Sequence, residues 1–82
     1  MLPSELHKFF WEYDAETLDE KDNWHQVIER LLEYGDIEAN RWVYRTYESK
    51  QIVKVVKTSR QLSKRTAALW KNLLGIQEES RV

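Results

Sequence analysis

The chain has no cysteine, so it needs no disulfide and offers neither a thiol nucleophile nor a thiolate metal site. One proline and two glycines in 82 residues are too few breakers for the many turns of a β-sandwich or barrel. Its apolar residues are scattered, and no run approaches the roughly 20 needed to cross a bilayer. Glu5 stands where a secretory signal would carry basic residues, and no long apolar stretch follows. The expectation is a soluble, intracellular protein of the cytoplasm. A chain this short folds as one domain and buries only about 60 to 65% of its unfolded surface. Pockets of the usual roughly 300 to 1,000 Å³ would hollow out its core.

What the chain does have is charge, sorted end from end. Residues 1–40 hold Lys8, Lys21 and Arg30 against eleven Asp or Glu, a net −8. Residues 41–82 hold ten Lys or Arg against Glu48, Glu78 and Glu79, a net +7. The overall −1 hides these two fields. A basic half fits a polyanion, and an acidic half can dock a basic protein or repel nucleic acid. Aromatics make up 12% of the chain and include four Trp, which gives a small core large contacts and suits a protein interface.

Leu, Glu, Lys and Arg dominate, and the expected fold is all-α, a compact bundle of four or five short helices with a candidate C-terminal helix-turn-helix. Residues 1–76 form the single domain, and 77–82 read as a frayed polar tail. Ser4 reads as the N-cap of a first helix running to about Tyr13, with Glu5 in its first turn. An acidic loop covers residues 14–22, with Leu18 as its pin. Asn23 and Gln26 have capping-box spacing, and Trp24, Val27, Ile28, Leu31 and Leu32 then repeat helically. Gly35 reads as a left-handed C′ residue, and Asp36 as the cap of the next helix. Between Arg41 and Thr58 the β-branched and aromatic residues leave a hairpin turning at Glu48-Ser49-Lys50 as the rival of two helices. The helical reading is favoured because neither arm alternates cleanly and the turn lacks Gly. It places Ile52, Val55, Val56 and Ser59 inward, with Lys50, Lys54 and Lys57 as an outward stripe. Ser63 caps the last helix, Thr66, Ala67, Trp70, Leu73 and Leu74 share one face, and Gly75 stops it.

Val56 to Trp70 has part of a helix-turn-helix pattern. Leu62, Ser63, Ala67 and Trp70 supply its second half, while Lys57 and Arg60 stand where small or apolar residues are usual. On this reading Lys64, Arg65 and Asn72 reach bases or phosphates of DNA, with Lys54, Lys57, Arg60 and Lys71 on the backbone. The competing reading is a plain helical hairpin with a solvated basic face. Phe9-Phe10-Trp11 cannot all bury on one helix face, since successive positions point about 100° apart. Phe9 and Trp11, with Glu12, Asp14, Glu16 and Asp19, are therefore candidate contacts for a protein partner or a homodimer. The bland alternative is packing under the acidic loop.

Little points to catalysis. His25 and Glu29 are one helical turn apart, and His7 is the only other imidazole, so no metal or cofactor is expected. The acids of residues 12–22 lack the Asp-x-Asp-x-Asp-Gly alternation of a calcium loop. No glycine-rich phosphate loop exists, and no Ser has an evident base. A non-enzymatic protein is expected.

The pattern of Leu2-Pro3, Phe10-Trp11, the Asp14 to Asp19 segment ending in Leu-Asp, Ile28-Glu29-Arg30-Leu31-Leu32-Glu33-Tyr34-Gly35-Asp36, Trp42, Tyr47, Ile52 and Leu62-Ser63-x-x-Thr66-Ala67-x-x-Trp70 resembles a known set of proteins. These are small uncharacterised prokaryotic proteins whose genes often lie beside a nucleotidyltransferase toxin of the AbiEii type. The resemblance covers residues 2 to about 76. It implies an all-helical, antitoxin-like or regulatory protein in a toxin–antitoxin system, with the neighbouring-gene toxin as partner, and brings no activity or functional residues with it.

Overall fold

Val27, Ile28, Leu31 and Leu32 recur at three- and four-residue spacing, and Trp24–Tyr34 folds as helix α1 with all four buried. The computed structural model describes residues 2–75. Among them every regular element is helical: a 3₁₀ helix Ser4–Phe9, a 3₁₀ turn Ala15–Thr17, α1, α2 (Ile37–Thr46), α3 (Ser49–Thr58) and α4 (Lys64–Leu74). The bundle of four or five short helices is borne out, and the tail at 77–82 lies outside the described residues.

Helix α1 is the hub. It packs against α2, α3 and the first 3₁₀ helix, and α4 packs on α3. Phe10, Val27, Ile28, Leu31, Val43, Ile52 and Val55 are all but sealed from solvent in a single core cluster. Burial of such side chains, about 1.5 to 3 kcal/mol each, is what sets the helical register.

The stretch expected to choose between helices and a hairpin forms two helices. Gln51 Oε1 accepts from the Glu48 amide at 3.0 Å, so the residues of the rival turn instead start α3. Ala39 and Val43 on α2, and Ile52, Val55 and Val56 on α3, bury at helical spacing. That pattern outweighs the β propensity of the same residues. Tyr47, in the link between the two helices, is buried against Trp42, and its hydroxyl donates to the Glu20 carbonyl at 2.7 Å. One phenol thus ties the acidic loop to the α2–α3 corner.

Three caps behave as the sequence suggests. Asp36 accepts from the Ala39 amide at 2.9 Å, Ser63 accepts from Thr66 at 3.2 Å, and Gly75 ends α4 with φ 70°. Others do not. Ser4 lies inside the first helix, which is 3₁₀ and stops at Phe9 instead of reaching Tyr13, and its side chain makes no cap. Asn23 precedes α1 without capping it, because its Oδ1 turns back to accept the Asp19 amide at 2.9 Å. Gly35 is not left-handed, with φ −75°. It is glycine for want of space: a Cβ there would collide with the Leu31 carbonyl oxygen and come within 2.8 Å of the Ala39 Cβ.

Gly35→Ala should therefore lower stability by about 1 to 3 kcal/mol, the usual cost of overpacking, in a urea titration. An unchanged midpoint would show that the corner relaxes freely.

Burial, with the nearby Glu20 and Asp19 charges, raises the Tyr47 phenol well above its ordinary value of 10.0. A folded value above the unfolded one leaves stability untouched below pH about 10, then lost with rising pH as the unfolded chain ionises first. Tyr47→Phe should make that alkaline limb shallower while costing about 1 kcal/mol at neutral pH from the lost hydrogen bond. Thermal melts at neutral and alkaline pH read both effects, and an equally steep limb in the variant would assign it elsewhere.

Candidate nucleic-acid interface

From residue 49 to residue 75 the chain carries seven Lys or Arg and no acid. Lys50, Lys54 and Lys57 are exposed along α3, Arg60 is exposed in the loop, and Lys64 and Arg65 are exposed in the first turn of α4. Lys71 is half-buried and Asn72 exposed, each seven residues on from Lys64 and Arg65 and so on the same stripes about 10 Å along the axis. The structure thus places six of the seven sequence-proposed contacts on exposed surface of α3, the loop and α4, and Lys71 only partly so.

The loop of residues 59–63 is held from outside. Ser59 Oγ donates to Glu29 Oε2 at 2.6 Å, and it accepts from the Gln61 amide at 3.0 Å. The Ser63 amide donates to Glu33 Oε1 at 3.0 Å. Glu29 and Glu33, one turn apart on α1, thereby fix where α4 begins and which way its basic first turn points. They also bring two carboxylates of the acidic half close beneath the basic loop. His25 Nδ1 lies 3.5 Å from the same Glu29 carboxylate.

Helix α4 is lightly anchored. Trp70 is its one buried side chain, with Tyr44 of α2 against its ring at 5.8 Å. Leu73, expected on the buried face, is 61% exposed, and Leu69 is 53% exposed beside it. The arc that packs is narrower than the apolar arc of the sequence, because α3, with Tyr44 of α2 at Trp70, covers only one flank.

The proposed partner-binding residues lie on the other half of the chain. Phe9 is half-buried against the core, and Trp11, Glu12, Asp14 and Glu16 are exposed. Asp19 is half-buried and accepts from the Asp22 and Lys21 amides at 3.0 and 2.9 Å, which hold its carboxyl below the ordinary range.

Arg30 organises this end, and sequence reading missed it. Its Nε donates to the Phe9 carbonyl at 2.8 Å and its Nη1 to Glu12 at 3.1 Å. The rings of Trp11, Tyr34 and Tyr13 surround the guanidinium at 4.3, 4.8 and 5.2 Å. The available signal was Arg30 as the one Lys or Arg of α1, four residues before Tyr34 and downstream of alternating Trp11 and Tyr13. A hollow of about 40 Å³ beside it, lined by Tyr13, Gln26, Glu29, Glu33, Tyr34 and Gln61, has room for a water molecule or two and none for a substrate. Among the described residues no three His, Asp or Glu come together as a metal site. No described helix is long and apolar enough to cross a membrane.

The Ser59–Glu29 bond is open to a direct check. In a double-mutant cycle of Ser59→Ala and Glu29→Ala, urea titrations should give a coupling of about 1.5 to 3 kcal/mol, as for a hydrogen bond to a charged group. Coupling near zero would leave the loop held by packing alone.

No curated protein and no solved structure matches the chain. A match does come from a family profile, that of the Family of unknown function (DUF6922), over residues 5–56. The matched stretch runs from the first 3₁₀ helix into α3, so it includes Arg30 and its three rings and stops short of α4. It spans more than half of the sequence, and the chain therefore belongs to that family.

Proposed function

We propose that this protein is a non-enzymatic regulator, antitoxin-like in the sense that its resemblance suggests, which binds DNA through α3, the following loop and α4. The observation that supports this reading most is the unbroken positive surface, seven bases without one acid over 27 residues. The loop contributes as much as the charge. Because Glu29 and Glu33 hold Ser59 and Ser63, the first turn of α4 is presented in one orientation, and binding need not order it. Lys64, Arg65 and Asn72 are the residues for base edges or adjacent phosphates, and Lys54, Lys57 and Arg60 are the residues for the backbone. The carboxylates beneath the loop oppose this, but both are engaged in hydrogen bonds and neither is fully exposed.

A mobility-shift titration with duplex DNA across a range of salt tests the proposal. Five phosphate contacts would give a log–log slope of about −4.5. Lys64→Glu together with Arg65→Glu should abolish the shift, whereas Lys8→Glu, off the basic surface, should leave it. No complex at low salt, or one indifferent to the double substitution, would overturn the reading.

A further inference from the structure

Trp11 is 59% exposed, yet it is not loose. Its indole lies against the Arg30 guanidinium, and Tyr34 meets it in a T-shaped contact at a centroid distance of 5.0 Å. Tyr34 and Tyr13 are also exposed while touching the same cation. Arg30 is itself anchored to the Phe9 carbonyl and to Glu12, with a side chain only 11% exposed. Three large rings are therefore presented to solvent on a fixed base. Immobile Trp and Tyr give up little freedom when something covers them, which is why such residues anchor interfaces.

The surroundings select what would cover them. Residues 12–22 carry six acids against Lys21, so the segment that interleaves with and follows the rings is net negative, with Glu12 at the Arg30 guanidinium itself. Asp14 and Glu16, both exposed, follow directly on Trp11 and Tyr13. A phosphate strand would be repelled here. A guanidinium or ammonium would find carboxylates in the adjoining segment and a largely exposed indole beside them.

The geometry points to the Trp11–Tyr13–Tyr34 patch as a docking surface for an Arg- or Lys-bearing protein segment. It is separate from the basic surface of α3 and α4, and it stands whether or not that surface meets DNA.

The test is an NMR titration of the full chain with a hexa-arginine peptide, run beside a twelve-residue oligothymidylate. The peptide should shift the Trp11 indole N–H and the amides of residues 11–16 saturably. Trp11→Ala should weaken its affinity about two- to fivefold, the scale of one exposed cation–π contact. Should that variant melt early, Asp14→Asn with Glu16→Gln, both at exposed positions, should weaken binding to a similar degree. Peptide shifts spread over all surface acids without Trp11, or affinity unchanged in the variants, would overturn the proposal. So would saturation of the Trp11 resonance by the oligonucleotide and not by the peptide, which would make the rings a base-stacking platform instead.

Discussion

Side-chain hydrogen bonds from one helix fasten the two irregular stretches that carry the candidate sites. Arg30 holds the N-terminal segment through the Phe9 carbonyl and Glu12, and Glu29 and Glu33 hold the α3–α4 loop through Ser59 and Ser63. All three residues lie within five positions of α1, whose opposite side supplies the centre of the core. The same eleven residues thus do the apolar and the polar fastening. Moving α1 by one residue of register would take Val27, Ile28 and Leu31 out of the core and these three polar groups away from their partners together.

The Arg30 site shows how a small domain keeps a charge mostly out of water. A guanidinium taken from solvent is costly unless paired, and Glu12 supplies the pair at the wet edge. Nη2 is buried without a hydrogen-bond partner, so the ring faces around the cation supply the remaining compensation. Trp11, Tyr13 and Tyr34 stand around the cation at the surface and not in the core. This explains why Trp11, in a chain short of apolar volume, is left largely in solvent while Phe10 beside it is sealed.

Much of the helical layout was legible because it rests on local rules. Asp36, Ser63 and Gly75 close or open helices through groups within four residues, and the spacing of Val27 to Leu32 and of Ile52 to Val56 needs no distant partner. What was not legible depends on contacts between segments. Gly35 is small because Ala39 is near, which a capping rule cannot express. Asn23 has a choice between two backbone amides, and the approach of Asp19 decides it. Leu73 fits a buried face by periodicity, but how far α3 reaches around α4 is a tertiary fact. The residues of the basic surface could be named from sequence because their exposure follows from charge. Arg30 could not, since its partners lie 18 and 21 residues away.

The single buried side chain of α4 sets the order in which this molecule comes apart. Opening that helix exposes Trp70 and some half-buried flank, whereas opening α1 dismantles the core. Local unfolding should therefore be cheapest at the C-terminal end, and amide hydrogens there should exchange with solvent long before those of α1. Residues 2–58 then form the more stable body, and the basic arm is held on it by Trp70, by Leu62 and Leu74 packed against the core, and by the serines of its loop. The closed form, in which the loop bonds orient the first turn of α4, is then the one that a ligand on that turn would stabilise, while the lysines of α3 stay in place on the body.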